Sequence, residues 1–198
     1  MLAKEGYDMI GIDIAEDMLA VAREKANDEE QNILYLLQDM REFELYGTVD
    51  CIISLFDSIN YITQEEDLLE VFKLVNNYLE PKGLFVFDIN TEYKFENILG
   101  SNTFAETNEK ASYIWENYYD EEEKINEYYM NFFIKQQQGN FYEKFEEMHY
   151  EKAYSMEKVT SLLEKSGLKL LSVFDAFTFD KPRVDSERLY FVAQEIKK

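Results

Sequence analysis

The stretch VDCIISLFDSINYITQEEDLLEVFKLVNNYLEPKGLFVFDIN, residues 49–90, decides the fold. VDCIISLF (49–56) is a short apolar run whose branched isoleucines suit a strand. Thr63-Gln64-Glu65-Glu66 then has the spacing of a capping box, in which a hydroxyl and a glutamate satisfy the first free amides of a helix. Behind it Leu68, Val71, Phe72, Val75 and Leu79 recur at helical spacing, and Pro81-Lys82-Gly83 stops the pattern. GLFVFDIN (83–90) is a second near-continuous apolar run. Such runs fit strands covered on both faces, as in a parallel sheet. Strand, helix and strand in this order predict an α/β domain.

The same alternation continues upstream. DMIGIDI (8–14) reads as a buried strand and Glu16 to Ala26 as a helix with Met18, Leu19, Val21 and Ala22 as its apolar stripe. NILYLLQD (32–39) is a further strand. Downstream the character changes. Residues 91–100 fit one short helix, and 113–151 are long aromatic and charged stretches that suit antiparallel strands solvated on one face. Asp120 to Glu123 and Gln136 to Asn140 look like turns between them. The α/β pattern resumes at Ser155, an N-cap for a helix striped by Met156, Val159, Leu162 and Leu163 and stopped by Gly167. KLLSVFDAF (169–177) and RLYFVAQEI (188–196) are the last two strands. The expected organisation is a core formed by 1–92 and 152–198, with 93–151 inserted as an antiparallel cap.

Composition bounds the function. The 198 residues carry 41 acidic and 20 basic side chains, a formal charge of −21. A field this negative repels phosphate backbones and anionic membranes, so neither is an expected partner. The aromatic content of 16% argues against a disordered acidic chain. One cysteine, Cys51, excludes a disulfide framework and a four-cysteine zinc site; within its apolar strand it reads as a buried, inert thiol. No apolar run approaches the roughly 20 residues of a membrane span, which predicts a cytoplasmic location. The run Glu121 to Glu123 reads as a solvated turn, because calcium loops need oxygen ligands at alternating positions.

In open α/β sheets ligands bind beyond the carboxyl ends of the strands. That directs attention to Asp13, Asp39, Leu55 to Tyr61, and Asp88 to Thr91. A carboxylate placed like Asp13 can accept both hydroxyl protons of a ribose, in a nicotinamide cofactor or in S-adenosylmethionine alike.

The segments 6–26, 36–45 (LLQDMREFEL), 49–62 and 79–90, in that order and spacing, resemble class I S-adenosylmethionine-dependent methyltransferases, in particular the bacterial small-molecule type with an antiparallel insertion. The resemblance covers essentially the whole chain. It implies a Rossmann-like, mostly parallel sheet with an antiparallel C-terminal strand and S-adenosylmethionine as cofactor. It implies that Asp13 binds the ribose hydroxyls with Ile14 and Met18 against the adenosine. It further implies that Asp39 accepts the adenine amino group, that the Met40 amide reaches a ring nitrogen, and that Leu55 and Phe56 pass the methionine part. Ala15 departs from the Ser or Thr often found at that helix cap. The family's first strand and glycine-rich loop should precede LAKEGYD and are absent, which predicts a chain truncated at its N-terminus by on the order of 35–50 residues.

Methyl transfer depends mainly on alignment and desolvation, with a general base where the nucleophile carries a proton. His149, the single histidine, is a candidate base, and Asp57 and Tyr61 are alternatives. Trp115, Tyr118, Tyr128 and Phe132 could line a lid over a small-molecule acceptor, form the minor core of a small sheet, or cover a homodimer surface. Two other readings remain open: a non-catalytic methyltransferase-like binding or assembly module, and an NAD-dependent dehydrogenase.

Overall fold

The computed structural model describes residues 1–136 and 141–198, so most of the expected turn at 136–140 lies outside the described residues. The chain divides into two compact units, Met1–Thr48 and Val49–Lys198.

In the first unit β1 (Met9–Asp13), α1 (Glu16–Asp28) and β2 (Ile33–Leu37) form a right-sized crossover, with β1 and β2 parallel from Met9 opposite Ile33 to Asp13 opposite Leu37. One helix can cover only one face of two strands. Within α1 only Leu19 and Ala26 are buried, while Met18 and Val21 of the expected stripe are exposed, as are Ile10, Leu34 and Leu37. The expectation that 8–14 is a buried strand is therefore corrected: none of the five residues of β1 is fully buried.

The second unit holds β3 (Val49–Ser54), α2 (Glu65–Tyr78), β4 (Leu79–Asn90), β5 (Thr103–Thr107), β6 (Ala111–Asp120), β7 (Ile125–Lys135), β8 (Tyr142–Lys152), α3 (Met156–Lys165), β9 (Leu168–Asp175) and β10 (Arg188–Glu195). One sheet has the order β3-β4-β10-β9; β3 and β4 are parallel and β10 is antiparallel to both of its neighbours. A second sheet, β5-β6-β7-β8, is antiparallel throughout. Its own small core joins Tyr119, Tyr128, Phe95, Leu99 and Ala153, with Trp115 packed against it.

Helical spacing in α2 does what the sequence requires: Leu68, Val71, Phe72 and Val75 are buried together with Leu79. Phe85 and Phe87 of β4 alternate inward and stack at 4.5 Å, and Phe191 of β10 stacks on Phe87 at 4.9 Å. Burying each such ring contributes about 1.5–3 kcal/mol. The capping box at Thr63 does not form. Gln64 occupies the cap without a side-chain bond, and the negative charges of Glu65, Glu66 and Asp67 are left to complement the helix dipole. Cys51 is exposed rather than buried, because β3 is an edge strand of its sheet and turns Asp50, Cys51 and Ile53 outward.

The end elements of α3 follow expectation. Ser155 accepts the Lys158 amide at 3.2 Å, and Gly167 follows the helix at φ 88. A Cβ at Gly167 would lie 2.5 Å from the Lys197 carbonyl oxygen. Gly167→Ala is expected to cost about 2 kcal/mol or more, lowering the melting temperature by ~2–4 °C per kcal/mol, as a calorimetric melt would read. Among the described residues no helix is long and apolar enough to cross a membrane.

Candidate active site

Each unit carries its own cavity. In the first, the carboxyl ends of β1 and β2 open onto about 370 Å³ of space lined by Ile14, Leu37, Gln38, Asp39, Glu42 and Glu44. Three of those six side chains are carboxylates and none is a cation. Asp13 Oδ1 accepts the Ala15 amide at 2.8 Å, which supplies the helix entry that Ala15 itself cannot cap. The second carboxylate oxygen of Asp13 has no partner among the described residues. Asp39 is held by Arg41, which donates Nη2 at 2.5 Å, Nε at 3.0 Å and its amide at 2.9 Å; these bonds keep the Asp39 carboxyl below its ordinary pKa. The amide of Met40, between them, has no partner among the described residues. Ile14 and Met18 are 68% and 61% exposed, apolar surface open to a ligand.

In the second unit a cleft of about 280 Å³ is lined by residues from six segments, among them Asp57, Tyr61, Asn90, Lys94, His149 and Glu151. Backbone geometry opens it: after β3, Phe56 and Asp57 both adopt left-handed φ, at 61° and 55°. For side chains with a Cβ this conformation costs about 1–2 kcal/mol per residue, so something must hold it. Arg188, the first residue of β10, does so. Its Nη2 donates to Asp57 Oδ1 at 2.6 Å and its Nη1 to Asp88 Oδ2, while the Asp57 amide donates to the same Asp88 oxygen at 3.3 Å. Asp88 is wholly buried. Burial pushes its carboxyl up, against the pull of Arg188, which meets it in a charge-assisted bond.

A second network fixes the floor. Asn60 donates to the carbonyls of Asn90 at 3.1 Å and Lys152 at 2.8 Å, and accepts the Asn90 amide at 2.9 Å, tying β4 to β8. Asn90 in turn donates to Glu151 Oε2 at 3.1 Å and accepts from Lys94 Nζ at 2.9 Å. Glu151 is 2% exposed. Burial, then the negative charge of Asp57, push its carboxyl up to about 8. The Tyr128 hydroxyl bonds to it, and burial with these charges drives the Tyr128 phenol far upward. Burial lowers Lys94, helped by Arg188. Tyr61 is raised to about 12, by burial first and by Glu151 next. Its hydroxyl lies 3.5 Å from His149 Nδ1, whose Nε2 is 3.2 Å from Glu147.

The three residues expected as catalytic candidates, His149, Asp57 and Tyr61, thus meet in one cleft although His149 lies 88 residues beyond Tyr61. Trp115 and Tyr128 line it too, as part of the small core behind it. Tyr118 is 59% exposed and Phe132 packs on Tyr113, so these two do not line the cleft. Leu55 and Phe56 are exposed at the end of β3, Phe56 at 80%. Sequence reading missed Glu151, Lys94 and Arg188. A charge set within an apolar run was the available signal: Asp88 in GLFVFDIN and Arg188 opening RLYFVAQEI are opposite charges in adjacent strands, paired across a register of Arg188 opposite Asn90.

These features belong to a known class. The chain is a member of the class I S-adenosylmethionine-dependent methyltransferases, enzymes whose cofactor is S-adenosylmethionine. The family model described as a methyltransferase domain matches residues 1–83. YqeM of Bacillus subtilis (strain 168), a relative that carries the name of a methyltransferase, is 36% identical over 99% of this chain and 78% of its own length. The crystal structure of an S-adenosylmethionine-dependent methyltransferase from Clostridium acetobutylicum ATCC 824 superposes with a TM-score of 0.89 at 30% identity, covering 96% of this chain and 75% of that one. The methyltransferase CcbJ from Streptomyces caelestis has a TM-score of 0.85 at 16% identity over 99% of this chain and 78% of that one, a likeness of fold.

Proposed function

We propose that this methyltransferase acts on a small-molecule acceptor held in the cleft of the second unit, under a lid formed by the 93–151 insertion. The aromatic-walled cleft with convergent polar groups carries this reading, since such a lining suits small ligands. KedS8, a solved structure of similar fold, is a sugar N-methyltransferase, and a sugar is an acceptor of that size.

The residues of the first unit fit the adenosine part of the cofactor. The free oxygen of Asp13 can accept ribose hydroxyls, Asp39 the adenine amino group, and the unpartnered Met40 amide can donate to a ring nitrogen, with Ile14 and Met18 as apolar contacts. When bound, the cofactor supplies an already activated methyl group on a sulfonium. The chain's own residues then orient the acceptor, exclude water and take its proton. His149, Asp57 and Tyr61 are the groups available for that, His149 having a second ring nitrogen that leads to exposed Glu147.

Calorimetry with S-adenosylhomocysteine tests the cofactor assignment. Asp13→Ala is expected to weaken binding by about 10- to 100-fold, the loss of charge-assisted bonds of ~1.5–3 kcal/mol. Equal affinity in Asp13→Ala would remove Asp13 from the site, and no heat with the unaltered chain would overturn the cofactor reading.

A further inference from the structure

We propose that the outward face of the β5-β6-β7-β8 sheet docks a basic protein segment, one with arginines at alternate positions of an extended strand. This surface uses none of the residues assigned above to cofactor or acceptor.

Successive side chains of a strand point to opposite faces of its sheet. Trp115, Tyr128 and His149 line the cleft, so their neighbours Glu116, Glu127 and Tyr150 point away from it. Register then builds the outward face row by row. Tyr118, Glu127 and Tyr150 stand opposite one another across β6, β7 and β8. Glu116, Tyr129 and Met148 form the next row, and Ile114, Asn131 and Glu146 the third. Of these side chains only Asn131 is buried.

Each row therefore sets one carboxylate among exposed rings or apolar side chains. Glu127 stands between two exposed tyrosines, at the roughly 5 Å Cβ spacing of cross-strand neighbours. Glu146 is bonded to Lys144 and to the Tyr129 hydroxyl, each at 2.6 Å. Among the described residues no cation pairs with Glu116 or Glu127. Contiguous exposed apolar surface marks an interaction site, and tyrosine and methionine are enriched at the centres of interfaces.

Charge chooses the occupant. A second copy would bring the carboxylates of two identical faces together, which is repulsive. A nucleic acid or an anionic lipid surface meets the same repulsion, added to that of the whole chain at −21. A basic segment meets unpaired carboxylates instead, and exposed rings beside them attract its cations. Arginine suits the face better than lysine, because a planar guanidinium can both bond a carboxylate and lie along a ring. Rows two residues apart along a strand recur at ~6.8 Å, the spacing of alternate side chains in an extended peptide.

The full chain is titrated, in about 0.15 M salt, into two fluorescently labelled peptides read by anisotropy. One alternates arginine with threonine, the other lysine with threonine. The arginine peptide is expected to bind at least about threefold more tightly. Tyr118→Ser combined with Tyr150→Ser removes both rings beside Glu127 without changing the charge, and should weaken binding about tenfold. Glu116→Gln combined with Glu127→Gln should cost about as much. Glu157→Gln combined with Glu164→Gln removes the same charge from exposed positions of α3 and should cost less than about twofold. Equal losses from the α3 pair and the sheet pair would assign the binding to net charge and overturn the docking surface. Unchanged affinity after loss of the two tyrosines, or no binding of the arginine peptide, would overturn it as well. A lysine peptide that binds as tightly would overturn the arginine class. An unaltered chain that sediments as a dimer, and as a monomer once the two tyrosines are replaced, would give the face to a second copy instead.

Discussion

Arg188→Leu is expected to lower the melting temperature by about 6–20 °C, from a loss of ~3–5 kcal/mol at ~2–4 °C per kcal/mol. The size follows from what is left behind. Asp88 has no exposed surface, its Oδ1 already lacks a partner among the described residues, and Arg188 is the cation paired with its other oxygen. Without Arg188 the carboxylate must protonate or stay unpaired in the core, and either costs several kcal/mol. Asp57 loses its clamp at the same time, and with it the support for two successive left-handed residues. Arg188→Lys should fall between, because an ammonium cannot reach two carboxylates in the fork geometry of a guanidinium. Adding Asp88→Asn to Arg188→Leu should recover much of the loss, since the deficit is a stranded charge more than a lost attraction. Calorimetric melts of the three variants decide the matter. A shift under about 2 °C for Arg188→Leu, less than one kcal/mol on this scale, would show the clamp to be dispensable.

The order of elements was readable because apolar periodicity is a local property. The α2 stripe and the inward phenylalanines of β4 follow from spacing alone. Burial in the first unit was not readable, since it depends on how many elements cover a sheet. Ile10 and Met18 look like core residues in the sequence yet lie open on a two-stranded sheet with a single helix. Cys51 was misread for the same reason, as an edge position cannot be told from a central one by composition. The candidate site shows the same division. Asp57, Tyr61 and His149 could be singled out by residue type and strand ends, but their meeting could not. His149 reaches Tyr61 because β8 returns beside β7 with Tyr128 opposite His149, a pairing between residues 21 apart in the chain. Glu151 was hidden by its surroundings in sequence: YEKFEEMHYEK (142–152) is mostly exposed, and only its last residues turn inward to the Asn60 and Asn90 network.

Glu151→Gln is expected to become more stable, relative to the unaltered protein, as the pH rises from about 4.5 to about 8. In the folded chain the Glu151 carboxyl is raised to about 8, by burial and by Asp57, from its ordinary 4.5. Below 4.5 both folded and unfolded chains hold the proton and its contribution to stability is fully present. Between the two values the unfolded chain releases the proton while the folded chain keeps it, so stability falls by up to ~1.4 kcal/mol per pH unit. Above about 8 both have lost it, and the folded chain bears a buried anion beside Asp57. Glutamine cannot ionise and keeps the bonds to Asn90 and Tyr128, so this slope should vanish from the variant. At ~2–4 °C per kcal/mol, the gap in melting temperature should widen by up to about 3–6 °C per pH unit and then level off. Asp57→Asn should flatten the wild-type slope from the other side, because it removes the charge that helps hold the proton on Glu151. Parallel melting curves for the unaltered chain and Glu151→Gln across this range would mean that Glu151 is ionised throughout.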